Sequence, residues 1–243
     1  TGATLTKGQA QLDNTTLDFN GLNTQTNTSE TGALPITVNI DLDKVGRAGE
    51  GGDLIIGGKE HIYDPVNTSA SKLGITVFKV DVLGTADRPS NLGTLSSTNG
   101  KLESVYISTD AAYVAGTHAS LTIRDGFGNT SGDSTTSDLK LVNADAFLGD
   151  LFLGKETAVV DLDTLTAQGG GNVYFNAALT GSETNQPYSY TTGAGKDTVI
   201  VSVDGDATDY AKSSLNVSTG AGDDSVTIKT VFDTLESATN EIL

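Results

Sequence analysis

Gly193-Ala-Gly-Lys-Asp-Thr-Val-Ile-Val is repeated almost residue for residue 27 positions later, as Gly220-Ala-Gly-Asp-Asp-Ser-Val-Thr-Ile. A third copy, Gly49-Glu-Gly-Gly-Asp-Leu-Ile-Ile, lies in the N-terminal third of the chain. Each copy spells G-x-G-x-D, and glycine allows the chain to bend sharply at this point. The residues after the aspartate have the β-branched content of a short strand. Each copy therefore predicts a Gly/Asp turn that leads into a β-strand.

The same pattern continues through the C-terminal part of the chain. Residues 139–230 read as four successive coils, each with a strand, a Gly/Asp turn, a second strand and a connector. The turns end at Asn172, Asp197 and Asp224, which are 25 and 27 residues apart and which we take as equivalent positions. A repeat of about 20–50 residues indicates stacked units that bury their apolar faces against each other. The sequence therefore predicts a mainly parallel β-helix, or β-solenoid, over residues 139–230.

Residues 1–125 are less regular, but they predict further β-rich coils. Four segments, which begin at Pro35, Gly74, Leu102 and Ser120, have the composition of strands. Residues 126–138 form a polar loop or boundary, and residues 231–243 have the spacing of a short helix that caps the stack or acts as a linker. The predicted fold class of the whole chain is all-β.

The charge and composition restrict the partners. The 243 residues include 31 acidic and 14 basic residues, for a net charge of −17, which argues against binding to nucleic acid or to an anionic membrane surface. The chain has no run of the ~20 apolar residues needed for membrane insertion, and the lack of Cys excludes disulfides and thiolate metal sites. We expect an extracellular or cell-surface location. Because the chain begins with Thr1, we also expect a processed product or a part of a longer protein.

The turns contain the atoms of a site for a hard cation. A glycine-rich bend directs backbone carbonyl oxygens inward, and the aspartate adds a carboxylate. Calcium prefers oxygen ligands of both kinds, so Ca²⁺ is the expected cofactor. The alternative is that each motif is an ordinary turn between two strands, without an ion.

These motifs resemble the nonapeptide calcium repeats, G-G-x-G-x-D-x-U-x, of RTX-type secreted proteins and of related surface-layer proteins. The resemblance implies that turn carbonyls and aspartate carboxylates hold the ion. The metal ligands that it implies fall into three sets: Gly193, Gly195 and Asp197; Gly220, Gly222, Asp223 and Asp224; and Gly49, Gly51 and Asp53.

The motifs also depart from that repeat. All three copies lack its first glycine and have Thr192, Thr219 and Ala48 in its place. Lys196 occupies the position of Asp223 in the other copy, so a positive charge weakens the first site. A spacing of 27 residues, instead of 9 or 18, predicts a wider coil than the compact roll of that family.

Signals for an enzyme are weak. The chain has two His, no zinc-protease motif and no nucleophile elbow. Asp161 with Asp163, and Asp41 with Asp43, would share one face of a strand, as in carbohydrate-active β-helix enzymes. We interpret them as outward-facing strand residues and predict no catalytic residue.

A binding role is another alternative. An exposed aromatic cluster would indicate a carbohydrate-binding adhesin module, and Tyr174, Phe175, Tyr188 and Tyr190 are the candidates, although alternation turns about half of them toward the core. Threonine is plentiful, but the sequence does not show the regular Thr-x-Thr ranks of an ice-binding face. The acidic segment Asp204–Asp209 lacks the glycine and glutamate positions of an EF-hand loop.

The predicted function is therefore structural. We expect a secreted, calcium-binding subunit or repeat of a surface layer, an extracellular matrix fibre or a large adhesin. Self-association into a layer or filament is expected, with cell-surface polysaccharide as a further partner. Calcium would couple folding to assembly, because ion binding to the turns would add to the folding free energy.

Overall fold

The computed structural model describes residues 3–5, 15–18, 37–46, 51–57, 75–97, 102–127, 139–179, 186–204 and 213–231. Within these ranges all paired strands are parallel, and the one helical element is a 3-10 turn at Ala111–Tyr113. Parallel strands need a crossover connection between them, so the chain winds in coils. The prediction of an all-β, mainly parallel β-solenoid is confirmed.

The longest sheet has eight strands and runs through the N-terminal and C-terminal parts of the chain alike. In pairing order its strands are β1 (Ala3–Leu5), β3 (Thr37–Asp43), β5 (Val77–Leu83), β8 (Ser104–Thr109), β10 (Leu141–Ala146), β13 (Thr164–Ala167), β15 (Pro187–Thr192) and β17 (Ser214–Ser218).

Two further sheets complete the coils. The strands of the seven-stranded sheet are β6 (Ser90–Leu92), β9 (Leu121–Ile123), β11 (Leu151–Leu153), β12 (Val159–Val160), β14 (Val173–Leu179), β16 (Thr198–Asp204) and β18 (Ser225–Val231). The strands of the three-stranded sheet are β2 (Thr15–Asp18), β4 (Leu54–Gly57) and β7 (Leu95–Ser97). Each of the eight strands in the longest sheet is followed along the chain by a strand of another sheet, so the described chain makes eight coils.

Apolar side chains stack into columns that run along the solenoid. In the eight-stranded sheet one column of paired, buried residues consists of Val38, Phe78, Val105, Val142, Leu165 and Tyr190. In the seven-stranded sheet the corresponding buried column consists of Leu92, Ile123, Leu153, Phe175 and Val199. Paired strands lie about 4.8 Å apart, so each side chain of a column packs on those of the neighbouring coils.

One aromatic contact joins the two columns across the core. The rings of Phe175 and Tyr190 meet edge to face, with 4.9 Å between their centroids. The hydroxyl of Tyr190 donates a hydrogen bond of 2.8 Å to the Leu162 carbonyl, which satisfies the one polar group of this side chain. Burial raises the pKa of Tyr190, because the phenolate would be poorly solvated there.

The strands of the N-terminal part agree with the sequence prediction, whereas the alignment of the C-terminal turns does not. The four predicted N-terminal segments form β3, β5, β8 and β9. In the C-terminal part, Tyr174 pairs with Thr198. The residue equivalent to Asp197 is therefore Val173, and the equivalence that we predicted for Asn172 is wrong by one position.

Some predictions concern residues outside the described ranges. These residues are Gly49, residues 128–138 of the polar loop, residues 205–209 of the acidic segment and the C-terminal segment from 232 onward. Of the predicted polar loop, Gly126 and Phe127 are described, and both are buried.

Candidate functional site

The two C-terminal copies of the motif lie in adjacent coils, at the edge where each coil enters the seven-stranded sheet. The pairing of Thr198 with Ser225 places Asp197 beside Asp224. The turns before β11 and β14 lie on the same edge. We call the four turns, residues 147–150, 169–172, 193–197 and 220–224, the glycine edge. The residues predicted as two separate sites thus belong to one continuous feature.

Glycine is required along this edge because successive turns stack backbone on backbone. A Cβ atom on Gly222 would lie 1.9 Å from the carbonyl oxygen of Gly195. A Cβ atom on Gly195 would lie 2.4 Å from the carbonyl oxygen of Gly171, and one on Gly171 would lie 2.0 Å from that of Gly149. These distances are far below the ~3.5–4.0 Å of favourable contact. Coil packing alone therefore accounts for the second glycine of each G-x-G motif.

Asp197 has a fully buried side chain. Its Oδ1 accepts a hydrogen bond of 2.8 Å from the Val173 N–H in the preceding coil, and its Oδ2 accepts one of 2.5 Å from the Thr192 hydroxyl. The N–H of Asp197 donates to Oδ1 of Asp224 in the following coil, at 3.0 Å. Burial of a carboxylate is costly unless it is hydrogen-bonded, and these donors offset that cost. Asp197 therefore joins three successive coils.

Other side-chain oxygens on this edge accept backbone N–H groups from a neighbouring coil. Oδ1 of Asp150 accepts from Asn172 N–H at 2.8 Å, and Oδ1 of Asn172 accepts from Lys196 N–H at 2.7 Å. Just before the edge, Oδ1 of Asp145 at the end of β10 accepts from Gln168 N–H at 2.9 Å. Lys196 has no acceptor in its side chain, so it cannot continue this series. A hydrogen bond to a charged group contributes about 1.5–3 kcal/mol, so the aspartates stabilise the stacking of coils.

The third copy of the motif uses its residues in the same way, but in another sheet. A Cβ atom on Gly51 would lie 1.9 Å from the carbonyl oxygen of Asn91. Oδ1 of Asp53 accepts a hydrogen bond of 2.9 Å from Thr94 N–H. Both residues precede β4 of the three-stranded sheet, so the structure does not bring this copy to the glycine edge.

Two turns of the glycine edge differ in how well they fit calcium. We call residues 193–197 the inner turn and residues 220–224 the outer turn. Calcium needs several oxygens aimed at one point from about 2.3–2.6 Å. At the inner turn both oxygens of Asp197 already accept protein hydrogens, so this residue does not fit the role of a ligand. At the outer turn Asp223 is exposed and Asp224 is partly exposed, and these carboxylates fit an ion better. The part of the chain that is described contains no group of three or more His, Cys, Asp or Glu side chains suited to a metal, and calcium binding stays a prediction.

The aromatic residues considered for sugar binding do not form an exposed cluster. Three of the four face the core and are buried: Phe175, Tyr188 and Tyr190. Tyr174 lies on the outer face, where it pairs with Phe152 of the preceding coil. The Lys155 ammonium lies over the Phe152 ring, 5.2 Å from its centroid, as in a cation–π contact.

Of the two aspartate pairs considered for catalysis, one lies in a turn and the other on a strand. Asp161 and Asp163 lie in the turn between β12 and β13, where Asp161 has a φ of 48°. The prediction that they share one face of a strand is therefore wrong. Asp41 and Asp43 do lie on one face of β3, and Oδ1 of Asp43 is 3.7 Å from Nη1 of Arg88.

The outer face of the eight-stranded sheet carries two ranks of polar, uncharged side chains. Pairing between β13, β15 and β17 aligns the residues of the first rank, which are Thr164, Ser189 and Asn216, and those of the second, which are Thr166, Thr191 and Ser218. Both ranks mix threonine with serine or asparagine, so these strands do not carry the regular Thr-x-Thr ranks that the sequence also failed to show. Sequence inspection missed the ranks because coil length varies, so the aligned residues do not recur at a constant interval.

Comparison with known proteins returns no match to a family model, a curated protein or a solved structure. A search of the described residues for a helix long and apolar enough to cross a membrane finds none.

Proposed function

We propose that this chain is a structural, non-catalytic β-solenoid that acts as a secreted, self-associating subunit or repeat of a surface layer, matrix fibre or large adhesin. The observation that carries the proposal is the glycine edge. There the most distinctive residues of the sequence hold one coil against the next. Contacts of this kind between successive coils stabilise a long, stiff scaffold. An extracellular location is part of the proposal, because a weak calcium site needs the high calcium concentration found outside the cell.

In this proposal calcium stabilises only one part of the solenoid. The ion acts at the outer turn, through Asp223 and Asp224, and adds to the stability of the last coil. Asp197 acts through hydrogen bonds in the absence of the ion. The coils are therefore expected to fold without calcium and to gain stability from it only at the end of the stack.

Substitutions at Asp197 separate the two roles of a turn carboxylate. Replacement by alanine leaves the Val173 N–H and the Thr192 hydroxyl without their acceptor, and we expect a loss of about 2–5 kcal/mol in the free energy of unfolding. Asp197→Asn keeps the shape and one acceptor oxygen, so we expect a loss of about 1 kcal/mol. The measurement is urea unfolding followed by far-UV circular dichroism, in EGTA and in millimolar calcium.

The matched control is Asp223→Asn, at the exposed outer turn. Measured at a protein concentration low enough to keep the chain monomeric, this variant should equal the wild type in EGTA and lose the stabilisation that calcium gives. A wild-type chain that is unfolded in EGTA and folds on addition of calcium would overturn the proposed role of Asp197. The same conclusion would follow if Asp197→Asn and Asp197→Ala lost equal stability in calcium and lost none in EGTA.

The two polar ranks favour a second candidate function, the binding of a neutral polysaccharide. The six side chains offer hydroxyl and amide groups without charge on a chain of net charge −17. A sheet face of this kind can exchange hydrogen bonds with the hydroxyl groups of a sugar chain.

Co-sedimentation with insoluble cellulose or chitin tests this second function. We expect wild-type protein to bind and Thr191→Lys, which places a bulky charge among the ranks, to bind several-fold more weakly. The control is Thr198→Lys on the outer face of the seven-stranded sheet, which should bind as the wild type does. Absence of wild-type binding to any neutral polysaccharide would rule the function out.

A further inference from the structure

The last coil of the described solenoid leaves its apolar side chains uncovered. Val226 and Ile228 of β18 are 46% and 55% exposed. They pair with Val199 and Val201 of β16, which are both 0% exposed. These residues therefore continue the core columns of the preceding coils, but no further coil covers them among the described residues. Exposed apolar groups at the end of such a column indicate a contact surface.

The same end also presents backbone groups that can pair. Among the described strands, β18 pairs with β16 alone and β17 with β15 alone. The free edge of β18 is seven residues long, and such an edge is a template for pairing with another chain. The apolar surface and the edge hydrogen-bonding groups lie side by side, so one partner strand would satisfy both.

We propose that this end is the dimer interface of the protein, in which β18 pairs antiparallel with β18 of a second copy about a two-fold axis. The inference rests on the self-association proposed above and names the surface that performs it. Symmetric homodimers commonly use one patch that is complementary to itself, and β18 has this property. When Val226 lies opposite the partner's Ile228, both inward-facing positions find an apolar neighbour, and Thr227 lies on the axis.

Charge complementarity supports this antiparallel register. Lys229 and Asp223 are both exposed and lie toward opposite ends of the β18 edge. With Val226 opposite Ile228, Lys229 lies opposite Ser225, and the partner's Asp223 lies in the turn two residues before that serine. Lysine carries its charge on a long, flexible side chain, so Lys229 can extend toward that carboxylate. The two-fold axis repeats this contact, so the dimer gains two Lys–Asp pairs.

The same two-fold axis would also pair the free edge of β17 with β17 of the second copy. In β17, Leu215 and Val217 are partly buried residues at the end of the core. An axis through Asn216 places Leu215 opposite the partner's Val217. Both edges of the last coil can therefore pair in one symmetric contact.

The described strands at the N-terminal end do not offer an equivalent surface for a head-to-tail contact. Among the described strands, the seven-stranded sheet begins with β6, in the third coil. The described part of the first coil contains β1 and β2, which belong to the eight-stranded and three-stranded sheets. The two ends of the solenoid thus present edges of different pairs of sheets. This difference favours a closed tail-to-tail dimer over an open filament built through this surface.

The test is the oligomeric state of the full 243-residue chain in EGTA, measured by sedimentation velocity over a range of concentrations. We expect a wild-type dimer, and we expect Ile228→Asp to raise its dissociation constant by about 100-fold or more, because the symmetric interface would bury the unpaired charge twice. The matched control is Val114→Asp, since Val114 is 53% exposed on another part of the surface. This control should dimerise as the wild type does, and circular dichroism should show both variants folded.

A charge exchange tests the register itself. Lys229→Asp should weaken the dimer, and the double variant Lys229→Asp with Asp223→Lys should restore it. A wild-type chain that is monomeric at every concentration, with its last coil covered by its own residues, would overturn both the interface and the self-association. Assemblies that are unchanged by Ile228→Asp would overturn this interface and leave self-association through another surface in place.

Discussion

Replacing Phe175 by alanine should lower the free energy of unfolding by about 3–5 kcal/mol. Phe175 is fully buried and lies between Leu153 and Val199 in its column. Its ring also packs edge to face against Tyr190. The substitution removes these contacts and leaves a cavity that closely packed neighbouring strands cannot fill. Urea unfolding followed by far-UV circular dichroism measures the loss.

Tyr174→Ala provides the matched control, because Tyr174 is the adjacent aromatic residue on the same strand and points outward. We expect this variant to lose less than about 1 kcal/mol, as is usual for a surface substitution. Equal losses for the two variants would contradict the register of β14. A shift of one residue exchanges the core face and the outer face of a strand.

Gly171→Ala should destabilise the protein by about 3 kcal/mol, at the upper end of the cost of overpacking. The added Cβ atom would lie 2.0 Å from the carbonyl oxygen of Gly149 and 2.5 Å from its carbonyl carbon. A side-chain neighbour would relieve such a clash by rotation, whereas two stacked backbones must move apart. The separation would lengthen hydrogen bonds across the glycine edge, including that from Asn172 N–H to Asp150. The midpoint of urea unfolding reports the effect.

Ala194→Ser is the control for this position on the edge. Ala194 is exposed in the turn of the next coil, and the small polar substitution should change the free energy of unfolding by no more than about 0.5 kcal/mol. A Gly171→Ala variant as stable as this control would show that the turns do not stack in contact.

The longer strands were predictable from sequence, and two short buried ones were not. Alternation of Val, Phe and Leu with polar residues identifies β5 directly, because one face of the strand is buried. By contrast, β6 and β7 are rich in serine and are buried at every position. The hydroxyls of Ser90 and Ser97 accept backbone hydrogens, and Ser97 Oγ accepts from Ile75 N–H at 2.7 Å. A polar residue that is buried through a partner 22 residues away leaves no local signal in the sequence.

The register of the turns also could not be predicted from the sequence. The run of glycines from 169 to 171 can be aligned with Gly193 and Gly195 in more than one way, and we placed Asn172 one position too far. The correct alignment depends on which glycine meets the carbonyl of the preceding coil, and the structure identifies it as Gly171. A contact of this kind between two coils is not visible from either coil alone.

The sequence identified the residues of the candidate site, but it did not establish their role. An aspartate that follows glycines can hold a cation or accept backbone hydrogens, since both uses need the same carboxylate. The difference lies in what surrounds it, and at Asp197 the neighbours are Val173 N–H and the Thr192 hydroxyl. The partners of Asp197 come from different coils, so only the folded chain brings them together.

The alignment of Val173 with Asp197 has a consequence for how a protein of this kind changes in evolution. Val173 and Asp197 occupy the same place in successive coils, so one full circuit of the chain is 24 residues long here. Duplication or loss of such a segment would add or remove one layer and keep both apolar columns continuous. The axial length would change by one strand spacing, about 4.8 Å, without any new packing arrangement. Length is thus a property that a single genetic event can adjust in equal steps.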